Sequence, residues 1–281
     1  MTKIAIVTDS TAYIPEELRN KYNIRMAPQQ LIWGEETFRD GLDITPTQFY
    51  QRLRVDQTNP KTSQSSPGAF KEIFAEALKS ADAVLAIVIS GALSQTFNSA
   101  NVAKNDFPNA QIEVVDSQST AMALGFIAIA AAQAAADGKS MAEIKKMVEE
   151  TVPKTGVAFV VDTLDYLHRG GRIGGAARFI GNLLSTKPVL HLKNGKVDAL
   201  ERVRTKKKAV DFMLDHIAKL VEGKQNVRVA TLHADAEGEA RELLAAATQR
   251  FNAVESILAE VSPVVGVHTG PGTVGLAWMT D

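Results

Sequence analysis

The stretch Ile4-Ala5-Ile6-Val7-Thr8-Asp9-Ser10-Thr11 decides the fold of this chain. Four consecutive apolar residues, stopped by hydroxyl and carboxylate side chains, are typical of a buried parallel strand followed by a polar turn. The pattern recurs at Ala83 to Ile89 before Ser90-Gly91 and at Ile112 to Val115 before Asp116-Ser117, each time with a helical stretch after it. Three such units predict a doubly wound α/β domain, in which ligands lie beyond the carboxyl ends of the strands.

The second half of the chain has a different texture. After Pro153, strand-like runs alternate with two amphipathic stretches near 205–221 and 236–250. Asn194-Gly195 between two of the runs favours a β-hairpin, so we expect antiparallel pairing that the first half lacks. The sequence therefore predicts two α/β domains, 1–155 with a parallel sheet and 156–281 with a mixed or antiparallel sheet, and a ligand between them.

Composition excludes several classes of function. The 281 residues include 31 Lys and Arg against 32 Asp and Glu, so no net field draws the chain to nucleic acid or to a membrane. The chain has no cysteine, which excludes disulfides, thiolate nucleophiles and iron–sulfur clusters. The five histidines are scattered without metal-ligand spacing, and we expect neither a metal nor a cofactor.

Two apolar segments bear on location. The apolar run before Asp9 is only four residues long, shorter than the apolar run that a signal peptide needs. Ala121 to Ala136 is rich in alanine and shorter than the roughly 20 residues of a bilayer span, so we interpret it as a buried helix. Together with the absence of cysteine, this predicts a cytoplasmic protein.

Two hydroxyl-rich segments are candidates for binding an anion. Lys61 to Ser66 carries more hydroxyls than one helix end requires, although a capping loop with Ser66 as N-cap and Pro67 at N1 is the simpler interpretation. Ser90 to Ser99 follows a buried strand and opens a helix, where the helix dipole favours an anion. No G-x-S-x-G is present, so a catalytic serine is not expected.

A glycine-containing segment near the C-terminus contains a histidine that is a further candidate for binding an anion. Val267 to Gly275 has the letters of a dinucleotide fingerprint, but only six residues remain after it. We predict instead a tight turn between strands Val264 to His268 and Val274 to Met279. His268 at the strand end would then either donate to an anion or simply be hydrogen-bonded.

Two basic segments are candidates for anionic partners. Gly170 to Gly175 is a glycine-rich loop that follows Arg169 and contains Arg172, but it lacks the ending of a P-loop. Arg202 to Lys208 places three lysines in the first turn of a helix capped by Thr205, where each positive charge is disfavoured by about 0.3–1 kcal/mol. Local stability does not explain this cluster, which is either an anion-binding or partner-binding surface or a plain exposed charge run.

Between residue 3 and about residue 279, the chain carries six short motifs in the same order as a known protein family. They are Val7-Thr8-Asp9-Ser10-Thr11-Ala12, Thr62-Ser63-Gln64, Leu93-Ser94, Asp116-Ser117, Tyr166-Leu167 with Gly170-Gly171-Arg172-Ile173-Gly174, and His268-Thr269-Gly270-Pro271-Gly272. Together they resemble the DegV family of bacterial fatty-acid-binding proteins.

The resemblance implies a two-domain α/β carrier without catalysis of its own. It would hold one long-chain fatty acid in a tunnel and present the carboxylate to an ATP-dependent kinase subunit, which phosphorylates it to acyl phosphate. By matching motifs, Thr62 and Ser94 would hydrogen-bond the carboxylate, with His268 and Arg204 completing the anion site directly or through water.

For the other matched positions, the resemblance implies a location but no specific role. Asp9, Ser10 and Thr11 are expected near the mouth of the tunnel. Arg169, Arg172 and Lys206 to Lys208 are expected on a rim that faces the kinase or touches a membrane surface transiently.

Two residues depart from the family pattern. Ser65 stands where the family usually has proline, which should loosen the loop that carries Thr62. Gln95 stands where the family usually has glycine, which could put a bulky amide beside the carboxylate.

Two other functions stay open at this point. One is an enzyme, a phosphotransferase or hydrolase, acting on a small anionic substrate at the same hydroxyl cluster, with His268 as the sole candidate base. The other is a DNA-binding regulator, which the net charge of −1 disfavours.

Overall fold

The computed structural model describes residues 2–180 and 186–281, and within them it contains three β-sheets. The strands are β1 (Ile4–Asp9), β2 (Arg25–Ala27), β3 (Gln30–Trp33), β4 (Glu36–Arg39), β5 (Lys61–Ser63), β6 (Ala83–Val88), β7 (Gln111–Asp116), β8 (Thr155–Val160), β9 (Lys187–Lys193), β10 (Lys196–Val203), β11 (Arg228–His233), β12 (Glu255–Glu260) and β13 (Val274–Met279).

The α-helices are α1 (Glu16–Lys21), α2 (Pro46–Val55), α3 (Pro67–Leu78), α4 (Thr96–Lys104), α5 (Ala121–Ala136), α6 (Met141–Thr151), α7 (Asp165–Arg169), α8 (Lys206–Val221), α9 (Glu237–Phe251) and α10 (Pro263–Thr269). Short 3-10 turns cover Ser10–Ala12, Val152–Lys154 and Gly174–Phe179. None of the described helices has the length and apolar character needed to cross a lipid bilayer.

The first sheet confirms the βα units predicted from the sequence. Its strand order is β2-β1-β6-β7, and all of its pairings are parallel. Every residue of β1 and of β6 is buried, as expected for strands covered on both faces. At the carboxyl edge, the backbone N–H of Ile89 donates to Asp9 Oδ2 over 2.7 Å and ties the ends of β6 and β1 together.

The second sheet, of order β10-β9-β8-β13-β11-β12, is mixed, as predicted. β11 and β12 pair in parallel, and the other pairs are antiparallel. The predicted hairpin joins β9 to β10, with left-handed backbone at Asn194 (φ 51°) and Gly195 (φ 74°), as a type I′ turn requires. All strands of this sheet begin at or after residue 155, close to the predicted domain boundary, which stays a prediction.

The third sheet corrects one expectation. The first half does contain antiparallel pairing, because β3 pairs antiparallel with both β4 and β5. The segment 25–63 had no strong hairpin dipeptide, and its strands are only three or four residues long, so no clear period-2 pattern announces them. This small sheet matters because it carries Thr62.

A second correction concerns residues 263–269, which form helix α10 and not a strand. Their valines suit a strand, but Pro263 at the first helical position presets a helical φ, and burial of the helix overrides β propensity. Helix α10 belongs to the C-terminal half of the chain, yet it packs on β3, β5 and α2 of the N-terminal half.

The predicted buried helix is α5, which lies between the two large sheets. It contacts β1 and β6 on one side and β8, β11 and β13 on the other. Because both flanks are covered, its apolar residues are distributed all round, and twelve of its 16 residues are buried. One continuous core therefore joins the first sheet, α5 and the second sheet.

Candidate functional site

A mostly apolar cavity opens where the three sheets meet. It encloses about 890 Å³ of space between protein atoms, including the part open to solvent. Its wall is built by β5, α10, the loop after β6, the start of α5 and strands of the second sheet. The apolar lining includes Leu93, Val157, Phe159, Leu167, Val197 and Leu232.

Three of the four predicted anion ligands line this cavity: Thr62, Ser94 and His268. Thr62 lies on β5 opposite Leu31 of β3, and His268 lies in the last turn of α10. The contact of α10 with β5 brings Thr62 Oγ1 and His268 Nε2 to 2.9 Å. Two residues separated by 206 positions in the sequence thus share one side of the cavity mouth.

Ser94 lies in the turn between β6 and α4. Its Oγ is 2.9 Å from Thr96 Oγ1 and accepts a bond from the backbone N–H of Thr96 over 3.3 Å. Ser94 thus serves as a local cap for the start of α4, and its hydroxyl can still meet a ligand in the cavity that it lines.

The imidazole of His268 is neutral near pH 7. Burial is the main cause that lowers its pKa to about 4, and the nearby guanidinium of Arg172 adds to the effect. Its Nδ1 is buried and has no hydrogen-bond partner among the described residues. As a neutral imidazole, His268 can donate a hydrogen bond from one ring nitrogen and accept one at the other.

The structure explains why position 170 of the glycine-rich loop is a glycine. A Cβ built at this position would lie 2.0 Å from His268 Nδ1, which is far closer than any real contact. Gly171 next to it has left-handed backbone (φ 69°) but open space around it. The loop therefore needs Gly170 so that its backbone can lie directly against the imidazole.

Arg172, predicted for the rim, is the cationic residue of the cavity wall. Its guanidinium donates to the carbonyl oxygens of Leu93 (3.1 Å) and Gly170 (2.7 Å), which fixes it beside His268. Arg204, predicted for the anion site, is exposed and is not among the residues that line the cavity. Its part in the anion site stays a prediction.

The first motif was predicted to lie near the mouth of the tunnel, and one of its three residues, Thr11, lines the cavity. Asp9, Ser10 and Thr11 are buried, with exposed fractions of 0, 6 and 1%, so they form no partner-facing rim. Asp9 accepts bonds from the backbone N–H (2.9 Å) and hydroxyl (2.6 Å) of Thr11. Burial raises the pKa of Asp9, and these bonds oppose the rise. This motif ties the first turn to the neighbouring strand, and Thr11 alone of the three reaches the cavity.

The remaining candidates lie outside the cavity or stabilise it. Arg169 is exposed, bonds to Asn59 and lies over the ring of Tyr166 at 5.2 Å. Gln95 is exposed and does not line the cavity, so its amide is not placed beside an anion there. The hydroxyl of Ser65 donates to the carbonyl oxygens of Ala27 and Pro28 (3.3 and 2.9 Å), and its effect on the loop stays a prediction.

The chain also matches a known protein family over nearly its whole length. The family described as "Uncharacterised protein, DegV family" matches residues 3–281. The chain belongs to the DegV family.

Solved structures of DegV relatives share the whole architecture. Protein DegV of Bacillus subtilis is 36% identical over 276 residues, which is 98% of each chain. Its crystal structure, described as that of a fatty acid binding protein, matches with a TM-score of 0.92 over all of both chains.

Two further structures come from other organisms. A DegV family protein from Thermus thermophilus, described by its fatty acid binding, is 36% identical with a TM-score of 0.92, again over all of both chains. A stearic acid-binding protein from Eubacterium ventriosum is 27% identical with a TM-score of 0.91, over all of this chain and 98% of that one.

Sequence reasoning missed three polar residues in and beside the cavity. Tyr13 and Thr120 line the cavity, and Asp40 lies behind Tyr13. No motif marks them, because each is a single residue whose neighbours come from distant segments. Within the described residues there is no cluster of His, Asp and Glu that could hold a metal ion.

Proposed function

We propose that this chain is a carrier that holds a long-chain fatty acid, with the acyl tail in the cavity and the carboxylate at the mouth. One observation carries the proposal: an apolar cavity ends at a mouth where Thr62, Ser94 and His268 converge beside a guanidinium. Membership of a family whose relatives are described as fatty acid binding supports the same assignment.

The two ends of such a ligand match the two chemistries of the site. Hydrogen bonds from hydroxyls to an ionised carboxylate contribute about 1.5–3 kcal/mol each. Each buried CH₂ of the tail contributes about 0.8 kcal/mol, so affinity should rise with chain length until the tail fills the cavity. The carboxylate would also raise the pKa of His268, so that a proton-bearing imidazole completes the anion site.

In this proposal Arg172 takes the role first predicted for Arg204. Its guanidinium is held by two carbonyl oxygens beside His268, which leaves its charge available to an anion at the mouth. Arg204 would act, if at all, on a partner that approaches the exposed surface around it.

We further propose that the carrier presents the carboxylate to an ATP-dependent kinase. The carboxylate oxygen would attack the terminal phosphorus of ATP, forming acyl phosphate and releasing ADP, with all catalytic groups supplied by the kinase. The exposed Arg169 and the basic segment Arg202 to Lys208 would meet this partner, and a membrane surface would be touched only transiently. Both events would take place in the cytoplasm.

The alternative of an enzyme rests on the contact between Thr62 and His268. A hydrolase of that kind needs a third group to orient the base, as the carboxylate does in a catalytic triad. His268 Nδ1 has no such partner in the described parts of the chain, and Ser94 bonds to Thr96 and not to a base. A carrier fits these contacts better.

The test is solvent extraction of freshly purified, denatured protein, followed by mass spectrometry of the small molecules released. We expect a long-chain fatty acid in near-stoichiometric amount. A clean extract, together with no uptake of fatty acid on incubation, would remove the carrier function.

The kinase step has a separate test. Purified fatty acid-loaded protein is mixed with ATP and fractions of a bacterial lysate, and acyl phosphate is trapped with hydroxylamine. Arg169→Glu should lower the rate of trapping without changing fatty acid affinity. An unchanged rate would exclude this face as the kinase contact.

A further inference from the structure

A second cleft, the outer cleft, adjoins the mouth of the cavity. Its walls come mainly from residues 59–62, residues 166–172 and the last turn of α10, and it encloses about 820 Å³, including the part open to solvent. Thr62, Gly170, Arg172 and His268 line both spaces, so the cleft and the cavity meet at the residues proposed for the carboxylate. A group attached to the carboxyl carbon of a bound acyl chain would therefore enter the outer cleft.

The outer cleft is positively charged. The cationic side chains of Lys61, Arg169 and Arg172 line it, and none of its described lining residues is Asp or Glu. None of the three cations forms an ion pair with a carboxylate of the described residues. Clefts lined by charge of one sign attract ligands of the opposite sign, so this cleft favours an anion.

Neutral partners hold the two guanidinium groups of the cleft. Arg169 donates to the side-chain carbonyl of Asn59, and its guanidinium lies 5.2 Å from the ring centre of Tyr166. Arg172 donates to two backbone carbonyl oxygens. Because none of these partners carries a formal charge, both guanidinium groups are oriented and keep their full charge. Oriented guanidinium groups suit phosphate in particular, since its oxygens accept pairs of parallel hydrogen bonds.

Two of the three cations lie beyond the position proposed for the carboxylate. Arg172 lines both spaces, whereas Lys61 and Arg169 line the outer cleft and not the cavity. A carboxylate bound at Thr62 and His268 would face the shared Arg172 and would leave the other two cations to an anion further out. Such an anion must be joined to the acyl group by a short linker.

The mouth itself suits an ester as well as an acid. The hydroxyl of Thr62 and the neutral imidazole of His268 lie 2.9 Å apart at the boundary between the two spaces. Both groups can donate a hydrogen bond to the carbonyl oxygen of an ester, which accepts without carrying a charge. An acyl ester would therefore keep the contacts of the mouth, and a phosphate on its alcohol part would supply the charge that the cleft favours.

We propose that the outer cleft binds the phosphate of an acyl ester whose short alcohol part ends in a phosphate, as in a monoacylglycerol phosphate, while the acyl tail fills the cavity. The inference rests on the proposed fatty acid-binding function and adds a second lipid class to it. A phosphate monoester carries a charge of about −1.5 to −2 at pH 7, which exceeds that of a carboxylate. The glycerol carbons supply the linker that reaches Lys61 and Arg169.

The experiment compares three ligands that share one tail: oleic acid, 1-oleoylglycerol and 1-oleoylglycerol 3-phosphate. Affinity for the delipidated wild-type protein is measured by displacement of a fluorescent fatty acid, which also shows that each tail enters the same cavity. We expect the phosphate ester to bind roughly tenfold more tightly than 1-oleoylglycerol. Added sodium chloride should reduce this ratio, because salt screens exposed charges.

Lys61→Gln combined with Arg169→Gln removes the two cations that line only the outer cleft. Both side chains are exposed, so the variant should remain folded, and binding of oleic acid reports that its cavity is intact. We expect the ratio between phosphate ester and 1-oleoylglycerol to fall to about threefold or less. Lys61→Arg with Arg169→Lys keeps both charges and should keep most of the wild-type ratio.

The matched control removes the same charge elsewhere on the surface. Lys79→Gln combined with Arg250→Gln deletes one lysine and one arginine that are exposed and line neither space. This variant should keep the wild-type ratio, because exposed charges far from the ligand are screened by salt.

The outcomes separate the two proposals. If oleic acid binds but the phosphate ester binds no more tightly than 1-oleoylglycerol, the outer cleft does not take a phosphate, and the fatty acid-binding function stands. A ratio that survives in the Lys61/Arg169 variant, or that falls equally in the control, would also overturn the inference. If none of the three ligands binds, the fatty acid-binding function fails, and this inference fails with it.

Discussion

The mouth and the inner wall of the cavity both carry hydroxyl groups, but the groups that surround these hydroxyls differ. At the mouth, Thr62 and Ser94 are hydrogen-bonded to neighbours and lie near the fixed charge of Arg172. On the inner wall, Oγ1 of Thr120 has no hydrogen-bond partner in the described residues, and the hydroxyl of Tyr13 lies beside Ser262 and near the buried carboxyls of Asp40 and Asp9.

This difference shows how one cavity can distinguish two parts of a ligand. A mouth with bonded hydroxyls and a nearby cation is prepared for a charged group, because its donors are fixed before the ligand arrives. A charge on the inner wall would lose its hydration without a cation beside it, because Arg172 is the one cationic residue in the described lining of the cavity. The mouth is therefore suited to a carboxylate and the inner wall to the chain.

The largest effect is expected from removing the donors of the mouth. Thr62→Ala combined with Ser94→Ala deletes two bonds to a carboxylate, so affinity for a long-chain fatty acid should fall about a hundredfold or more. Isothermal titration or displacement of a fluorescent fatty acid measures the change.

The matched control for that variant lies in the same loop. Ser66→Ala removes the N-cap of α3, whose hydroxyl accepts from the backbone N–H of Ala69. It should lower the free energy of unfolding by about 1 kcal/mol and leave the affinity unchanged. Wild-type affinity in the Thr62/Ser94 variant would move the carboxylate to another place.

The inner end of the cavity is tested through Asp40. Burial raises its pKa to about 7, so the stability that its protonated form contributes is fully present below about pH 3.8 and is lost as pH rises through 7. Asp40→Asn should therefore gain stability over wild type between pH 4 and pH 7, by roughly 4 kcal/mol in chemical denaturation.

Asp43 provides a contrast of opposite sign. Its hydrogen bonds with Arg39 lower its pKa to about 2, so its contribution is present above pH 3.8 and is lost as pH falls through 2. Asp43→Asn should lose stability at pH 7. If Asp40→Asn behaves in the same way, Asp40 is ionised at neutral pH and the inner wall is not neutral.

A smaller effect is expected when the position of His268 is disturbed. Gly170→Ala forces a methyl group against Nδ1 of His268, and we expect about a tenfold loss of affinity in the same displacement assay. Gly171→Ala should instead lower stability by about 1 kcal/mol through backbone strain, with affinity preserved. Equal affinities in the two variants would mean that His268 takes no part in binding.

The smallest effects concern the two arginines. Arg172→Ala should weaken binding several-fold, because the guanidinium lines the mouth, and salt should reduce the difference. Arg204→Ala should change affinity less than twofold, since this residue is exposed and outside the cavity lining. The reverse order of effects would restore Arg204 to the anion site.

Much of the fold could be predicted because its signals are local. A parallel strand is predicted by the apolar run Ile4 to Val7, and a hairpin by the Asn194-Gly195 turn. The structure contains both. Helix α10 could not be predicted, because its valines favour a strand and only its packing against β3 and β5 decides the outcome.

The residues of the candidate site likewise fall into those that the sequence predicts and those that only the structure reveals. Thr62, Ser94 and His268 follow from family motifs, and the structure brings all three to the cavity. The presence of Arg172 in the cavity lining depends on the path of a glycine loop, which its composition does not specify. Tyr13 and Thr120 escape prediction because each is a single residue that reaches the cavity only in the packed structure.

The most direct test of the division between mouth and wall is to titrate the protein with a long-chain fatty acid and with its methyl ester. The two ligands share the tail, but the ester has no charge to place beside Arg172. The account predicts that the ester binds about a hundredfold more weakly at pH 7 and that the difference shrinks in the Thr62→Ala and Ser94→Ala double variant. Equal affinities for acid and ester in the wild-type protein would contradict it.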